Sequence, residues 1–316
     1  MKILSKLLWL FLFLFLIIQL IISSDTIFYS INEAIVLWFY KVVPSLLPFF
    51  LLCNFLINYG FIEIMSELLK PIMHLLKINE NASFIFVMSI FTGSPGNAFY
   101  IREALSKKII TEHDATKVLM FSQFASPLFI LGTVKLALNS FKASIWILIV
   151  TYLTNFILAF LFRNLYKVES KSPISFLNIK IQLNNTPFLS FGKVLSNSIK
   201  KTFDTLIVIL GSICFFYIIT AIIQKYSFFP KSIYPFVTGI LEMTQGINNV
   251  SLLNISLKMK AIFITIFLSF GGFSIHSQII SIISDTKIKY LPYLLARILH
   301  AIVAGGIMFF LFNYLR

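Results

Sequence analysis

The sequence predicts an all-α, polytopic membrane protein with about eight to ten membrane segments in two pseudo-repeats, each with a broken or re-entrant helix. Three observations lead to this prediction. Of the 316 residues, 58% are hydrophobic and only 12% are charged, which is about half the charged share of a soluble domain. Apolar runs long enough to cross a bilayer recur along the chain. Two runs are interrupted near their middle, at residues 92–97 and at Gly271 and Gly272.

The first predicted element is a membrane span at residues 1–24. Lys2 and Lys6 flank the start of an unbroken apolar run at 7–22. We interpret this run as a retained span with its basic end inside. It is long for a signal peptide, and no clear small-x-small cleavage site follows it.

The second predicted element is a first repeat at residues 33–135, organised around residues 82–104. There, ten apolar residues (82–91) are followed by Thr92, and a shorter apolar piece resumes after Asn97. Ten helical residues rise about 15 Å, half of a hydrocarbon core of about 30 Å. We therefore expect a helix that enters the membrane, breaks at its middle and restarts, rather than a loop between two small helices.

Such a break leaves backbone N–H and C=O groups without partners, and each costs several kcal/mol in lipid. It persists where it is buried in protein or lines a polar cavity, and broken helices of transporters direct their ends at the substrate. A further break is expected near Pro127, in a helix that begins with Thr111 as its N-cap.

Two elements separate the predicted repeats. Residues 144–162 are a plain apolar span that connects them. Residues 163–201 hold seven basic residues and one acidic residue, so the positive-inside rule predicts a cytoplasmic loop.

Residues 202–316 are predicted to form the second repeat. An apolar run at 261–270 ends at Gly271 and Gly272, as the earlier run ends at Thr92 and Gly93. A charged turn follows each break about 17 residues later, at Thr111 and at Lys289. Paired broken helices in corresponding halves point to a transporter site. Whether the repeat is inverted stays open.

Four groups of polar residues at membrane depth form the predicted substrate-binding site. Free N–H groups at the restart of a helix attract anions, which suits an anionic substrate. The groups are Gly93, Ser94, Pro95, Gly96 and Asn97; Gln123 and Ser126; Glu242 and Thr244; and Gly271, Gly272, Ser274 and His276, joined by Arg297 on the last span.

The ionisable candidates have two interpretations each. Glu242 is a proton or cation site, or it forms an ion pair with Arg297 that holds the halves together. Arg297 clamps a carboxylate or extends to the lipid headgroups. His276 titrates or packs in the core. Similarly, Ser126 and Thr244 bond either the substrate or their own helices.

Three stretches resemble the YlbJ-type sporulation integral membrane proteins. They are ASPLFILGTV at 125–134, LEMTQG at 241–246 and FGGFSIHSQ at 270–278, within a resemblance that covers roughly residues 35–312. The resemblance places the chain in the wider nucleoside-recognition (Gate) domain group, which is related to concentrative nucleoside transporters. It implies a role in endospore formation, with dipicolinate, an anionic aromatic dicarboxylate, moved from the mother cell across the outer forespore membrane.

The first repeat departs from the family pattern. The family usually has Gly-Tyr-Pro-Ser-Gly-Ala at the first break, where this chain has GSPGNA at 93–98. The family's Cys-Asn-Asn before Ala-Ser-Pro is Ser122, Gln123 and Phe124 here, so that one amide is kept and one is lost. The second repeat matches the family better.

The expected function is therefore a secondary transporter in the bacterial cell membrane, coupled to H⁺ or Na⁺ and without a resident cofactor. The alternatives are an ion-coupled nucleoside or nucleobase transporter and a non-transporting sporulation scaffold. An enzyme is not expected, because no nucleophile–base pair, metal spacing or nucleotide fingerprint occurs. The net charge of +14 is attributed to basic loops and not to nucleic-acid binding. The expected partners are a small anionic substrate and the lipid bilayer; a homo-oligomer stays open.

Overall fold

The protein is helical throughout the part that its computed structural model describes, residues 2–59, 61–165, 190–230 and 232–314, and no strand occurs there. Within this part, five helices are long and apolar enough to cross a membrane: Ser24–Leu56, Phe141–Leu161, Phe191–Lys225, Leu257–Ile283 and Tyr290–Leu311. The predicted all-α membrane fold is confirmed. Shorter helices between these spans contribute to the candidate site together with Leu257–Ile283 and Phe191–Lys225.

The described residues form sixteen α-helices with short π-helical and 3₁₀ turns at Trp38–Val42, Phe129–Val134, Glu80–Ala82 and Phe312–Tyr314. In chain order the α-helices are α1 (Lys2–Ile22), α2 (Ser24–Leu37), α3 (Val43–Asn58), α4 (Phe61–Leu68), α5 (Lys70–Leu76), α6 (Ser83–Thr92), α7 (Gly96–Ser106), α8 (Glu112–Phe121), α9 (Lys135–Leu138), α10 (Phe141–Leu161), α11 (Phe191–Lys225), α12 (Tyr234–Leu241), α13 (Met243–Ser251), α14 (Leu257–Phe270), α15 (Gly272–Ile283) and α16 (Tyr290–Leu311).

The basic loop predicted at 163–201 ends earlier than expected. Residues 166–189 of that prediction lie outside the described residues, and the chain is helical from Phe191. Helix α11 has 35 residues, a rise of about 52 Å, which exceeds the hydrocarbon core. Its first turns therefore extend beyond the membrane, and this explains why Lys193, Lys200 and Lys201 are helical.

Eight basic residues mark one end of the bundle, which we call the basic end. The Nζ of Lys117 donates to the carbonyls of Lys77 and Arg163, both at 2.6 Å, so the start of α8 lies beside the ends of α5 and α10. The Nζ of Lys201 lies 3.6 Å from a carboxylate oxygen of Glu103, near the end of α7. The basic end comprises Lys77, Arg102, Lys107, Lys117, Arg163, Lys201, Lys287 and Lys289.

The first interruption is the tip of a re-entrant hairpin. Asn79, which precedes α6, donates from Nδ2 to Oδ2 of Asp114 in the first turn of α8, at 2.9 Å. Because α8 follows α7 after a turn at 107–111, the start of α6 and the end of α7 both lie at the basic end. Of the two forms that the sequence leaves open, a broken helix and a re-entrant one, residues 82–104 therefore adopt the re-entrant form, since the second arm returns to the side of the first.

A second hairpin, formed by α12 and α13, turns at Glu242. The Nδ2 of Asn249 donates to the Oγ1 of Thr238 at 3.1 Å, although these residues would lie about 16 Å apart along a straight helix. Its arms touch at two glycines, because a Cβ on Gly246 would lie only 2.1 Å from the Cα of Gly239. The sequence shows polar residues here, but its pattern does not predict an interruption.

A broken helix follows each hairpin. After the first hairpin, α8 ends at Phe121, residues 122–126 are not helical, and helical structure resumes at Pro127. The break expected near Pro127 is thus present, on its amino-terminal side. The predicted N-cap is also confirmed: Thr111 and Asp114 form a capping box at the start of α8.

The second broken helix consists of α14 and α15, interrupted at Gly271, and it crosses the bundle. Lys258, at its start, donates to Oδ1 of Asn313 at 2.8 Å, beyond the end of α16. Asp285, just after its end, pairs with Arg102 at the basic end. Its two ends therefore lie on opposite sides.

The order of hairpin, broken helix and straight helix occurs twice, in α6–α10 and in α12–α16, with opposite orientation. The first hairpin opens to the basic end. The second opens to the other end, because Tyr234 at the start of α12 donates to the carbonyl of Thr220 near the end of α11, at 3.1 Å. The expected pairing of residues 92–97 with Gly271 and Gly272 is therefore wrong, since a hairpin tip corresponds by order to Glu242. A repeat in the sequence stays a prediction.

We predict that cysteines at the two arms of the second hairpin can be cross-linked. In a background with Cys53→Ala and Cys214→Ala, the pair Thr238→Cys/Asn249→Cys should be bridged by a short reagent that carries two thiol-reactive electrophilic groups, because the native side chains are in contact. The measurement is the intact mass of the purified protein.

The control pair is Ile266→Cys/Ser277→Cys, which has the same separation along the chain but spans the second broken helix. This pair should not cross-link, since an extended helix holds the residues about 16 Å apart. Equal cross-linking of both pairs, or none of the hairpin pair, would contradict the fold.

Candidate functional site

The tip of the first hairpin packs against the first broken helix. The backbone N–H of Ser94 donates to the carbonyl of Phe124 at 2.9 Å, and so it satisfies one group that the break at 122–126 leaves free. Gly93 has a φ of +71°, and a Cβ there would lie 2.9 Å from the backbone nitrogen of Ser126. Only glycine meets both demands at this position.

The second hairpin packs against the second broken helix in the same way. Gly272 has a φ of +70°, and a Cβ there would lie 3.0 Å from the backbone nitrogen of Met243 and 3.3 Å from the carbonyl of Leu241. The two broken helices also meet each other, because a Cβ on Gly271 would lie 2.6 Å from the Nε2 of Gln123. All four interruptions therefore converge at one place.

A cavity of about 50 Å³ lies between the four interruptions. Its remaining walls are apolar and include Leu46 of α3 and Ile209 and Ile213 of α11. Eight of the predicted site residues line this cavity: Gly93, Ser94, Pro95, Gln123, Ser126, Glu242, Thr244 and Ser274. The structure thus brings residues from both predicted repeats to a common cavity.

Six predicted site residues do not line the cavity but lie behind its walls: Gly96, Asn97, Gly271, Gly272, His276 and Arg297. The Nδ2 of Asn97 lies 3.4 Å from the hydroxyl of Ser122, which connects the first hairpin to the first broken helix. His276 is bonded through both ring nitrogens, to the hydroxyl of Tyr290 at 2.9 Å and to the carbonyl of Phe270 at 3.1 Å. Of its two interpretations, the structure therefore supports the packing histidine.

Glu242 forms the tip of the second hairpin and caps α13. Its carboxylate accepts hydrogen bonds from the backbone N–H of Gln245, at 2.7 Å, and from the hydroxyl of Thr244. The carboxyl group is buried and is the only ionisable side chain in the described lining of the cavity. The alternative of an ion pair with Arg297 is wrong, because the guanidinium of Arg297 binds elsewhere.

Arg297 closes the open end of α8. Its Nη2 donates to the carbonyl of Met120 at 2.6 Å and to Oδ1 of Asn155 at 3.0 Å, and its Nη1 lies 3.5 Å from the carbonyl of Gln123. The side chain is fully buried, so its extension to the lipid headgroups is wrong as well. Its Nη atoms bond backbone carbonyls and the amide of Asn155, and its Nε has no hydrogen-bond partner among the described residues. Because the side chain is not part of the cavity lining, it does not face the cavity as a carboxylate clamp.

Two residues of α10 that support the site were missed in the sequence analysis. The Nδ2 of Asn155 donates to the carbonyl of Gln123 at 2.6 Å. The hydroxyl of Tyr152 lies within hydrogen-bond distance of the carbonyls of Ile90, at 3.1 Å, and Ala125, at 2.8 Å. A local signal existed for Asn155, because an amide inside an apolar span needs a partner.

The hydroxyl candidates stabilise the interruptions. The Oγ of Ser126 accepts from the backbone N–H of Phe129 at 3.2 Å, which caps the helical segment after the break.

Two amide oxygens that belong to lining residues, Oε1 of Gln123 and Oε1 of Gln278, are buried and have no protein partner. They are hydrogen-bond acceptors available to a bound solute.

Among the residues that the structure describes, no cluster of three or more His, Cys, Asp or Glu side chains could hold a metal ion. The lining of the cavity, as far as it is described, contains no Lys, Arg or His. The site is therefore built from backbone groups, amides, hydroxyls and one carboxylate. It can hydrogen-bond a polar solute and pack an apolar ring.

Comparison with known proteins agrees with the resemblance noted in the sequence. Residues 39–141 match the family model described as nucleoside recognition (Gate), which includes the first hairpin and the first broken helix. The chain is 29% identical over 301 residues to the sporulation integral membrane protein YlbJ of Bacillus subtilis (strain 168), covering 85% of this chain and 73% of that protein. No solved structure matches the chain. The protein is thus a membrane homologue of YlbJ with a Gate domain.

We predict that Gly272→Ala destabilises the protein in detergent. A left-handed conformation costs a residue with a Cβ about 1–2 kcal/mol, and the new methyl group must also displace the second hairpin. The midpoint of thermal unfolding should therefore fall. In the control Gly211→Ala, a Cβ meets no atom within 4 Å, and this midpoint should stay the same or rise slightly. Equal midpoints for both variants would contradict the close contact between Gly272 and the second hairpin.

We also predict that Arg297→Lys lowers the thermal midpoint more than Arg102→Lys does. A lysine keeps the charge but loses the fork that reaches two carbonyls and an amide, which costs about 2 kcal/mol or more. Arg102 pairs with Asp285 on an exposed surface, where ion pairs contribute about 0–1 kcal/mol. The comparison uses the same detergent and salt, and a smaller effect at Arg297 would argue against its bonds to α8.

Proposed function

We propose that the protein is a secondary transporter that moves a small planar solute through the cavity between the four interruptions, during sporulation and in the outer forespore membrane. One observation carries this proposal: two hairpin tips and two broken helices bring polar groups together at one cavity with otherwise apolar walls. Each interruption in lipid requires compensation of its free backbone groups, and a scaffold has no need of them. In transporters, such helix ends form the substrate site.

Dipicolinate is the solute that we propose first, on the basis of the resemblance to the YlbJ-type proteins. The cavity supplies hydroxyls, amides and apolar walls for a pyridine ring. Its only ionisable side chain in the described lining is that of Glu242. A solute carboxylate about 4 Å from an ionised Glu242 would be repelled by about 4 kcal/mol at an effective dielectric constant of 20. We therefore propose that dipicolinate crosses together with H⁺ rather than Na⁺.

The size of the cavity indicates how access alternates. A volume of about 50 Å³ holds only a few water molecules, at about 10–15 Å³ each. A solute the size of dipicolinate therefore requires a hairpin tip to move away from its broken helix. Because the hairpins open to opposite ends, we propose that each hairpin controls access from one side, with the basic end facing the mother-cell cytoplasm.

A nucleoside or nucleobase is the second candidate solute. It is favoured by the Gate domain, whose description is nucleoside recognition, and by the two unpartnered amide oxygens of Gln123 and Gln278. These oxygens accept hydrogen bonds, and a nucleobase presents N–H donors. Catalysis is not part of either proposal.

The decisive measurement is uptake of labelled dipicolinate and of labelled uridine into vesicles that contain the purified protein. We expect saturable dipicolinate uptake that is faster when the outer solution is more acidic than the lumen. In Glu242→Gln, uptake should no longer respond to the pH gradient, because the group that opposes the anion no longer carries a charge. In the control Glu112→Gln, at the exposed basic end, the response should persist.

Uridine uptake without dipicolinate uptake would replace the first candidate by the second. Absence of both uptakes, from protein with an intact thermal transition, would favour the scaffold and overturn the proposal of transport.

A further inference from the structure

A groove opens on the outer surface of the bundle, between α8, α10 and α16, in the half of the membrane next to the basic end. Its volume is about 500 Å³. The floor is closed by Met120, Phe121 and Leu158, which are 5% exposed or less. The mouth is formed by Leu165, Leu291 and Leu295, which are each more than half exposed. The groove is therefore a recess in the lipid-facing surface and not part of the central cavity.

The lining of the groove is uniformly apolar. The side chains named above are joined by Phe162, Pro292, Ala296 and Leu299, and none of the described lining residues is polar. A recess of this kind in a membrane is filled by hydrocarbon, since its walls offer no hydrogen bonds to water. The occupant is then a chain of methylene groups that packs against the floor.

Positive charge lies at the end of the groove that is nearest the membrane surface. Arg163 lies in the turn that follows α10, between the lining residues Phe162 and Leu165, and its Cζ lies 4.3 Å from the centre of the ring of Phe160 in α10. Lys289 is exposed and precedes the lining residue Leu291 by two positions. Basic residues beside an apolar recess between membrane helices match an anionic headgroup.

The nearby acidic groups are already paired. Glu112 lies 3.8 Å from the Nζ of Lys287. Asp114 accepts hydrogen bonds from Asn79 and from the backbone and hydroxyl of Thr111. The positive charge of Arg163 and Lys289 therefore remains available to an anion at the membrane surface.

We propose that this groove holds an acyl chain of one anionic phospholipid, whose phosphate lies at Arg163 and Lys289. The lipid is a structural ligand, and its site is independent of the proposed transport. Its acyl chain packs on Met120 and Phe121, the last residues of α8, and on Ala296, the neighbour of Arg297. It therefore covers the outer side of the bond between Arg297 and the carbonyl of Met120, and it stabilises the open end of α8.

The test is native mass spectrometry of the detergent-purified full chain, first delipidated and then incubated with phosphatidylglycerol or phosphatidylcholine. We expect one tightly held phosphatidylglycerol per chain. In Leu291→Trp/Leu295→Trp, which fills the mouth of the groove, retention should fall about tenfold. The control Leu136→Trp/Leu153→Trp makes the same change at lipid-facing positions outside the groove and should retain the lipid as the wild type does.

The headgroup is tested with Arg163→Gln and Lys289→Gln. Each should reduce the preference for phosphatidylglycerol over phosphatidylcholine about fivefold, with no change in the amount of phosphatidylcholine retained. Thermal unfolding in detergent verifies that every variant is folded. Added phosphatidylglycerol should raise the midpoint of thermal unfolding of the wild type but not that of Leu291→Trp/Leu295→Trp.

Three results would overturn the proposal. Equal lipid retention by the groove variant and the control would show that the groove is not the site. Equal retention of the two lipids by the wild type would remove the role of the basic residues. Loss of a dimer rather than of a lipid in the groove variant would assign the groove to a second copy of the chain.

Discussion

The guanidinium of Arg297 lies on the carbonyls at the open end of α8, and the arrangement of the site depends on this interaction. A helix that ends inside the membrane exposes carbonyls that water cannot reach. Arg297 and Asn155 bind those of Met120 and Gln123, while Ser94 binds that of Phe124. The first broken helix is therefore held open by three other elements, α16, α10 and the first hairpin. A displacement of any of these elements therefore shifts the end of α8, and with it the residues that line the cavity.

Glu242 combines two roles that are usually separate. Its carboxylate caps α13 through the N–H of Gln245 and also faces the cavity. A change in its charge alters both the strength of the cap and the electrostatic potential at the solute, because both depend on the same two oxygen atoms. If a proton binds here, the position of the second hairpin and the affinity for an anion change together. Proton binding and solute binding would then be coupled through Glu242 itself, without a further group between the two sites.

The sequence predicts the membrane class, the interruptions at 92–97 and at Gly271, and the N-cap at Thr111, because apolar runs, glycines and capping residues are local signals. It does not distinguish a hairpin from a crossing helix, since ten apolar residues fit either. The turn at Glu242 has no proline or glycine next to it and was missed. The role of Arg297 depends on α8 and α10, which are more than a hundred residues away along the chain, so no local pattern reveals its partners.

The first hairpin is fixed to the bundle by different kinds of contact at its arms and at its tip, and this determines where its opening costs free energy. At the basic end, the first hairpin is joined to α11 and to the turn after α15 by exposed pairs, Glu103 with Lys201 and Arg102 with Asp285. Such pairs contribute about 0–1 kcal/mol each and are screened by salt. The tip contact between Ser94 and Phe124 is buried, and an unpaired carbonyl there costs several kcal/mol. Opening of the first hairpin is therefore limited by its tip, and a polar solute that binds the carbonyl of Phe124 would remove most of that cost.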